Sequence, residues 1–209
     1  MTGVAIIDIG AGNIRSVSAA FWRAGAEPEL ISRAEQVAQA ERLVLPGVGN
    51  AANALEALRA SGIAEALCES VLRCGRPFLG VCVGMQVLAG HCTESRPQDG
   101  LGWFPGEVRH LAEIYRGELT VPHVGFADVE LAPDFPLAGA FRKTPAMYFN
   151  HMYGLAAAPS PPSLGGTVTH GSELGACYAD GSWVAVQFHP EKSQQDGAKL
   201  IEAFLDWTP

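Results

Sequence analysis

The sequence predicts an α/β fold in which helices cover both faces of a mostly parallel central sheet. Short β-rich runs alternate with helical patterns through the first half of the chain, and each run ends in a turn that contains glycine. This alternation is typical of a parallel sheet, because parallel neighbours need a long crossover that is usually a helix. In the second half, strand-like segments follow one another between turns rich in proline and glycine, which predicts antiparallel additions to the sheet.

Each predicted element follows from a local pattern. Asn13 is placed to cap the first helix and Gly25 to end it, with apolar residues at helical spacing between them. The predicted parallel strands lie at residues 4–9, 43–45 and 77–81. Further helices are predicted at residues 51–59, 63–74, 85–89 and 196–207, and further strands at residues 119–121, 127–131 and 147–149.

Length and composition favour one soluble globular domain over residues 1–209. A chain of 209 residues can bury one core and is only marginally long enough for two ordinary domains. Its apolar fraction of 48% and charged fraction of 17% are typical of a globular protein. The net charge of -8 argues against nucleic-acid binding, which needs clustered Lys and Arg.

No feature of the sequence predicts secretion, a metal or a cofactor. The first apolar run is interrupted by Asp8 and lacks a basic leader, and no run approaches the roughly 18 residues of a membrane span. A cytoplasmic location is therefore expected. The five cysteines form no C-x-x-C pair, and the histidines lack metal-binding spacing. Residues 8–13 resemble the start of a dinucleotide-binding fingerprint, but Arg15 stands where that fingerprint needs its third glycine.

The strongest local signal is a cysteine flanked by glycines. Cys82 stands between an apolar strand and a helical pattern, with Gly80 and Gly84 two residues to either side. Such a tight turn leaves no room for a Cβ at its flanks and pushes the central side chain outward, which is typical of a nucleophile elbow. We therefore predict a presented, unburied Cys82, whose thiolate is favoured by the start of the next helix, and an oxyanion donor at Val83. The alternative is a buried cysteine that packs as a small apolar residue.

A base for this nucleophile is predicted where an apolar strand ends in a His-Pro-Glu sequence. Residues two apart in an extended segment face the same way, so Glu191 can accept from one nitrogen of His189 while the other faces Cys82. Taken in isolation, His189 would be read as a solvated histidine at a strand end. Together with the elbow, it predicts a triad of nucleophile, base and orienting carboxylate. The glycines of residues 46–49 could complete the oxyanion hole with a backbone amide.

Two segments carry a resemblance to a known family. Residues 80–86 and 187–193 together resemble the motif pair of the class I glutamine amidotransferases, at that family's usual separation. Four other segments narrow the resemblance to the family of glutaminase subunits of imidazole glycerol phosphate synthase, an enzyme of histidine biosynthesis. They lie at residues 8–17, 46–49, 121–126 and 148–153.

The resemblance implies a flavodoxin-like fold that hydrolyses glutamine to glutamate and ammonia without a cofactor. It also implies a heterodimer with a (β/α)8-barrel cyclase subunit, which would receive the ammonia through an internal passage. By motif position, Gln86 and Glu94 would bind the α-amino and carboxylate end of glutamine, and Gly49 and Val83 would bind the oxyanion. Without the resemblance, Gln86 reads as a helix-surface residue and Glu94 as a solvated loop acid.

Three residues depart from that family's pattern. Phe126 replaces an expected Trp, Ala127 replaces an Asn, and Asn150 replaces an apolar residue. These departures leave open a diverged paralogue that feeds another barrel synthase, such as one that amidates a sugar, or a silent regulatory or scaffold subunit. A cysteine peptidase or thiol hydrolase that uses the same triad is a further alternative, which the specificity of turnover for glutamine would separate.

Overall fold

The computed structural model describes residues 2–10, 13–115, 120–157, 161 and 163–209. Strands and helices alternate in the first half, and strands dominate the second half until a final helix, as the sequence predicts. The strands are β1 (Thr2–Ile7), β2 (Ala26–Ile31), β3 (Leu43–Gly47), β4 (Phe78–Cys82), β5 (Ala89–Cys92), β6 (Gln98–Asp99), β7 (Phe104–His110), β8 (His123–Leu131), β9 (Ala146–His151), β10 (Tyr153–Gly154), β11 (Leu164–His170), β12 (Ser172–Asp180) and β13 (Trp183–Val186). The helices are α1 (Ile14–Arg23), α2 (Ala34–Gln39), α3 (Ala51–Ala60), α4 (Ile63–Leu67), α5 (Val83–Gln86), α6 (Leu111–Ile114) and α7 (Gln194–Asp206).

The central sheet joins nine of the described strands in the order β2-β1-β3-β4-β13-β12-β11-β8-β9. The first five run parallel, and β12, β11, β8 and β9 are added antiparallel to one another and to β13. The predicted parallel sheet with antiparallel additions is therefore confirmed, although the antiparallel part is nearly as large as the parallel part. The order of the parallel strands is that of a flavodoxin-like sheet.

Helices cover both faces of this sheet because the chain reverses direction across it. The connection from β1 to β2 moves toward one edge, and the connection from β2 to β3 moves back past β1. Parallel crossovers are right-handed, so α1 and α2 must lie on opposite faces. The contacts agree, since α1 packs against α7 whereas α2 packs against α4 and α4 against α3.

A smaller sheet, ordered β10-β7-β5-β6, packs on the central sheet through large aromatic side chains. Phe104 of β7 stacks on Tyr178 of β12 with ring centroids 4.2 Å apart, and its ring also lies 5.8 Å from that of Trp183 on β13. All three side chains are buried. This aromatic contact holds the smaller sheet against β12 and β13 of the central sheet.

Several local predictions need correction. The helix expected at residues 85–89 is only the four-residue α5, after which the chain turns at once into β5. The strand expected at residues 119–121 is wrong for Thr120 and Val121, which lie in a loop, while Leu119 lies outside the described residues. The edge strand β2 was not predicted, because its sequence carries two glutamates and a proline. Within the described ranges, no helix has both the length and the apolarity that a membrane crossing requires.

Candidate active site

The turn between β4 and α5 is a strained elbow centred on Cys82. Its backbone has φ 55° and ψ −107°, outside the ordinary regions for a residue with a side chain. A Cβ at Gly80 would lie 2.7 Å from the carbonyl oxygen of Gly84, and one at Gly84 would lie 1.9 Å from the carbonyl oxygen of Leu45. The two flanking glycines are therefore sterically required, as the sequence predicts.

The elbow opens on a cavity of about 270 Å³, but Cys82 is not presented to solvent. Its relative exposure is 3%, so the prediction of an unburied cysteine is wrong. The predicted support from the following helix is also weak, because α5 has four residues and too few aligned peptides for a strong dipole. Cys82 instead lines a pocket whose volume is close to the roughly 300–1,000 Å³ of small-ligand sites.

The sheet brings the predicted base to the cysteine. β13 pairs with β4 in parallel register, with Val186 opposite Val81, so the residues just beyond these strands are neighbours. His189 follows at this edge and is 1% exposed. Its Nδ1 lies 2.8 Å from Oε1 of Glu191. That contact forms through a 3-10 turn at Pro190–Lys192 and not through the extended geometry from which it was predicted.

The surroundings of His189 favour its charged form. Burial by itself would lower the pKa of this imidazole, but the Cys82 sulfur and the Glu191 carboxylate outweigh burial and raise the pKa to about 9. Glu191 binds Nδ1, so Nε2 is the nitrogen left for the sulfur. Within the described residues Nε2 makes no hydrogen bond, either to the sulfur or to another group. At neutral pH the pair is therefore poised as an imidazolium beside a sulfur.

A second group holds Glu191 in place. Nδ2 of Asn13 donates a hydrogen bond to Oε1 of Glu191, the same oxygen that accepts from His189 Nδ1. Asn13 does occupy the residue before α1, but its side chain makes no capping bond there. The sequence identified Asn13 only as a helix cap, and no local signal points to a partner 178 residues away.

The residues predicted to bind glutamine line the same cavity. Gln86 is 3% exposed, so it is not the helix-surface residue that its sequence alone suggests. Its Nε2 donates to the carbonyl of Tyr153 at 2.8 Å and to Oε1 of Gln187 at 3.0 Å, which leaves its own oxygen as an acceptor. Glu94 lines the cavity while its Oε2 accepts from the amide of Ala51 at 2.6 Å, at the start of α3. Burial raises the pKa of the Glu94 carboxyl.

The two predicted oxyanion donors also border the cavity. Val83 follows Cys82 directly, and Gly49 lies in the loop between β3 and α3. Gly49 has φ 102°, a conformation that residues with a side chain rarely adopt. Both residues thus line the same cavity as Cys82, on separate segments of backbone.

A cluster of histidines lies on the other side of the cavity. His151 lines the cavity. Its Nε2 lies 3.1 Å from Nδ1 of His123, and its Nδ1 lies 2.8 Å from the carbonyl oxygen of Tyr153. His123 stacks between Phe149 and His170, with ring centroids 4.5 and 4.0 Å away. Burial is the main reason that the pKa of His123 falls to about 3 and that of His151 to about 4, and the neighbouring histidines lower both further. In the part of the chain that the structure describes, no three acidic, histidine or cysteine side chains are arranged to hold a metal ion.

Comparison with known proteins agrees with this geometry. Residues 5–207 match the family model described as glutamine amidotransferase class-I. The chain is 40% identical over 219 residues to imidazole glycerol phosphate synthase subunit HisH of Brucella suis biovar 1 (strain 1330), which covers 99% of each chain. It is 42% identical to the subunit of the same name from Zymomonas mobilis subsp. mobilis (strain ATCC 31821 / ZM4 / CP4), over 99% of this chain and 96% of that one. Its fold is similar to a crystal structure of glutamine amidotransferase, with a TM-score of 0.73 at 20% identity over 97% of each chain.

Proposed function

The chain belongs to the class I glutamine amidotransferases, and from this we propose that it is the glutaminase subunit of an imidazole glycerol phosphate synthase. It hydrolyses glutamine to glutamate and ammonia, and the ammonia passes to a partner subunit. The observation that supports this function most is the 2.8 Å bond between His189 and Glu191 at the edge of the sheet where Cys82 opens on a small-ligand cavity.

The proposed reaction begins with attack of the Cys82 sulfur on the carboxamide carbon of glutamine. A carbon–sulfur bond forms, and the amides of Gly49 and Val83 stabilise the negative oxygen. The tetrahedral intermediate then expels ammonia, which takes its proton from Nε2 of His189, and a glutamyl thioester remains. A charged His189 suits this step, because the group that must give a proton to the leaving nitrogen already carries it.

The second half of the reaction uses the neutral form of the same histidine. His189, having given its proton to ammonia, accepts one from a water molecule that attacks the thioester. Glutamate leaves, and the sulfur recovers its negative charge beside the imidazolium. Glu191 holds Nδ1 throughout, and Asn13 holds Glu191, so the ring presents Nε2 to the sulfur in both steps.

We propose that the two polar residues of the cavity bind the amino-acid end of the substrate. The free oxygen of Gln86 and the carboxylate of Glu94 are acceptors suited to an α-ammonium group. Glu94 also holds the first amide of α3, which directly follows the loop that carries Gly49. Substrate binding at Glu94 would therefore act on the segment that supplies one of the oxyanion donors.

We propose that a (β/α)8-barrel cyclase subunit covers the cavity and forms a heterodimer with this chain. Three apolar side chains at the ends of β8 and β9 remain about half exposed: Val124, Phe126 and Met152. Met152 lines the cavity, so a surface placed on these residues would also close the site. The departure at Asn150 lies in the cavity wall itself, where it would face both the substrate and the partner.

We also propose that residues 1–209 act as one amidotransferase domain. The buried apolar residues from Val4 to Leu205 form one contiguous cluster, which supports a single domain.

Co-purification with the barrel cyclase candidate of the same host tests the function. Glutamate release from glutamine would be measured with and without the cyclase's nucleotide substrate, and Cys82→Ala serves as the control. Release that depends on Cys82 and rises with the nucleotide is expected. Release that needs neither association nor the nucleotide would favour a paralogue with another acceptor. The absence of both association and release would favour a silent subunit.

A further inference from the structure

Gln187 lies beside the reacting sulfur, yet the reaction described above gives it no role. The parallel register that pairs Val186 with Val81 makes the next residues of the two strands, Gln187 and Cys82, neighbours at the edge of the sheet. Gln187 is 1% exposed. Its Nε2 lies 3.5 Å from Sγ of Cys82, within the range for a hydrogen bond to sulfur.

We propose that the side-chain amide of Gln187 stabilises the Cys82 thiolate, and that Gln86 is the positioning residue that keeps this amide turned toward the sulfur. The proposal rests on the proposed function, since it concerns the nucleophile of that reaction. It adds a donor on the sulfur to the imidazolium of His189.

The orientation of both amides follows from one backbone carbonyl. The carbonyl of Tyr153 can only accept a hydrogen bond, so the atom of Gln86 that lies 2.8 Å from it must be the NH2 nitrogen. The same nitrogen lies 3.0 Å from a terminal atom of Gln187, which must then be an oxygen. The remaining terminal atom of Gln187, the one that faces the sulfur, is therefore its NH2 group. His151 Nδ1 donates to the same Tyr153 carbonyl and helps to fix it.

An amide NH2 is a donor without acceptor capacity, and this decides which form of the sulfur it favours. A thiolate accepts such a bond, and hydrogen bonds to a charged group are about twice as strong as bonds between neutral groups. A thiol would have to point its own proton elsewhere. Because Gln187 and Gln86 are both buried, water cannot easily replace the bond if it is lost.

Gln187 and His189 would act on the sulfur in different ways. His189 must give its proton away and take it back during each turnover, so its attraction for the sulfur changes during the reaction. The amide of Gln187 does not transfer a proton, so the strength of its bond follows the charge on the sulfur alone. The bond would be strongest to the thiolate, before attack and after glutamate has left, and would favour release of the sulfur from the thioester.

Alkylation of Cys82 by iodoacetamide tests the proposal on the full chain without relying on glutamine turnover. The rate would be followed by peptide mass spectrometry between about pH 5 and about pH 10, the range in which thiols in proteins titrate. Gln187→Leu removes the donor, and Gln187→Glu replaces it with an acceptor of similar size. At neutral pH both variants are expected to react about tenfold more slowly than the protein that carries Gln187, which is the loss expected for one hydrogen bond to a charged group. Both should also need a higher pH for half-maximal reaction.

Matched controls keep the result specific. Gln36→Glu makes the same chemical change on α2. There the side-chain oxygen of Gln36 accepts hydrogen bonds from Ser32 and Arg33, which a carboxylate also accepts, so the alkylation profile should stay unchanged. Gln86→Leu should shift the profile in the same direction as the Gln187 variants but by less, and it decides the matter if neither Gln187 variant folds. An unchanged pH profile in folded variants overturns the proposal. Because alkylation does not need glutamine, failure of the proposed glutaminase function would appear separately, as a reactive Cys82 without glutamate release.

Discussion

His189 beside Cys82 and the pair His123 and His151 lie in two regions around the same cavity, and at neutral pH the first is charged whereas the pair is neutral. His189 is buried beside a carboxylate and a sulfur, and its pKa is raised to about 9. His123 and His151 are buried beside aromatic rings and other imidazoles, and their pKa values are lowered to about 3 and about 4. Burial alone lowers the pKa in every one of these cases.

The partners of a buried histidine, more than its burial, therefore decide its charge. Glu191 accepts a hydrogen bond from His189 and offsets the loss of hydration of the charged imidazole. His151 binds only a backbone carbonyl and a second imidazole, which do not. The two groups also interact, because the charge on His189 further disfavours a proton on His151. The positive charge of His189 therefore lies beside the sulfur, while His151 stays neutral.

Removal of the triad histidine should reduce the activity more than any other change. His189→Ala should lower the rate of glutamate release by about 10³-fold, because both proton transfers lose their carrier. The measurement is steady-state glutamate release in the presence of the partner. His91→Asn, on β5, changes a histidine outside both groups and should retain the activity. Comparable losses in the two variants would contradict the assignment.

Removal of the carboxylate changes the charge of the histidine but keeps its ring. Glu191→Gln should lower glutamate release by about 10²-fold and lower the pKa of His189, since a neutral amide no longer stabilises the imidazolium. The pH dependence of the rate and the NMR titration of the ring protons would show both effects. Glu202→Gln on the exposed face of α7 is the matched control. An unshifted titration of His189 would show that Glu191 does not set its charge.

The second histidine group should destabilise the protein in acid. The unfolded chain binds protons at His123 and His151 below about pH 6.5, whereas the folded chain resists them until the pH approaches 3 to 4. The free energy of unfolding should therefore fall as the pH falls through this window, by at most about 1.4 kcal/mol per pH unit for each histidine. Denaturant unfolding at several pH values measures the slope.

One substitution isolates this acid effect from that of carboxylates such as Asp196, whose lowered pKa also costs stability in acid. His123→Asn keeps a donor near Nδ1 but does not titrate in this range. Its stability should be lower at neutral pH, through lost stacking, yet should decline less steeply between about pH 6.5 and about pH 4. An unchanged slope would mean that His123 is not held neutral.

The triad histidine should produce the smallest effect, with the opposite sign, in alkali. Its pKa of about 9 lies above the unfolded value of 6.5, so its contribution is complete below pH 6.5 and is lost as the pH rises toward 9. Unfolding experiments across that window should show a decline of at most about 1.4 kcal/mol per pH unit. Glu191→Gln should flatten the decline. A decline of equal steepness in that variant would assign it to another group.

Local sequence patterns predicted the parts of the fold that local sterics and burial impose. The strands around β3 and β4 are short apolar runs, and the elbow needs glycines because a Cβ at Gly84 would meet the carbonyl oxygen of Leu45. The termination of α5 after four residues was missed, since the small sheet that begins at β5 overrides the helical pattern. The edge strand β2 was missed for a related reason, because it pairs along its backbone with β1 and needs few apolar side chains.

Within the candidate site, the sequence predicted residues that belong to dense motifs and missed residues that act across long separations. Cys82 and His189 stand in short segments with unusual glycine and proline spacing, which a reader of the sequence can find. Asn13 reaches Glu191 from the other end of the chain, and Gln187 reaches Cys82 only through strand pairing. The register between β4 and β13 would have revealed Gln187, but the sequence does not state that these two strands are neighbours.

The insertion of β13 beside β4 has a consequence for the protein during its synthesis. The strand that carries the cysteine leaves the ribosome about a hundred residues before the strand that leads to the histidine, since Cys82 and Gln187 are 105 positions apart. Until β13 takes its place between β4 and β12, the elbow has neither its imidazole nor its amide donor. A nascent or truncated chain thus carries an incomplete catalytic centre, and glutamine is not hydrolysed until about the last eighth of the polypeptide has folded.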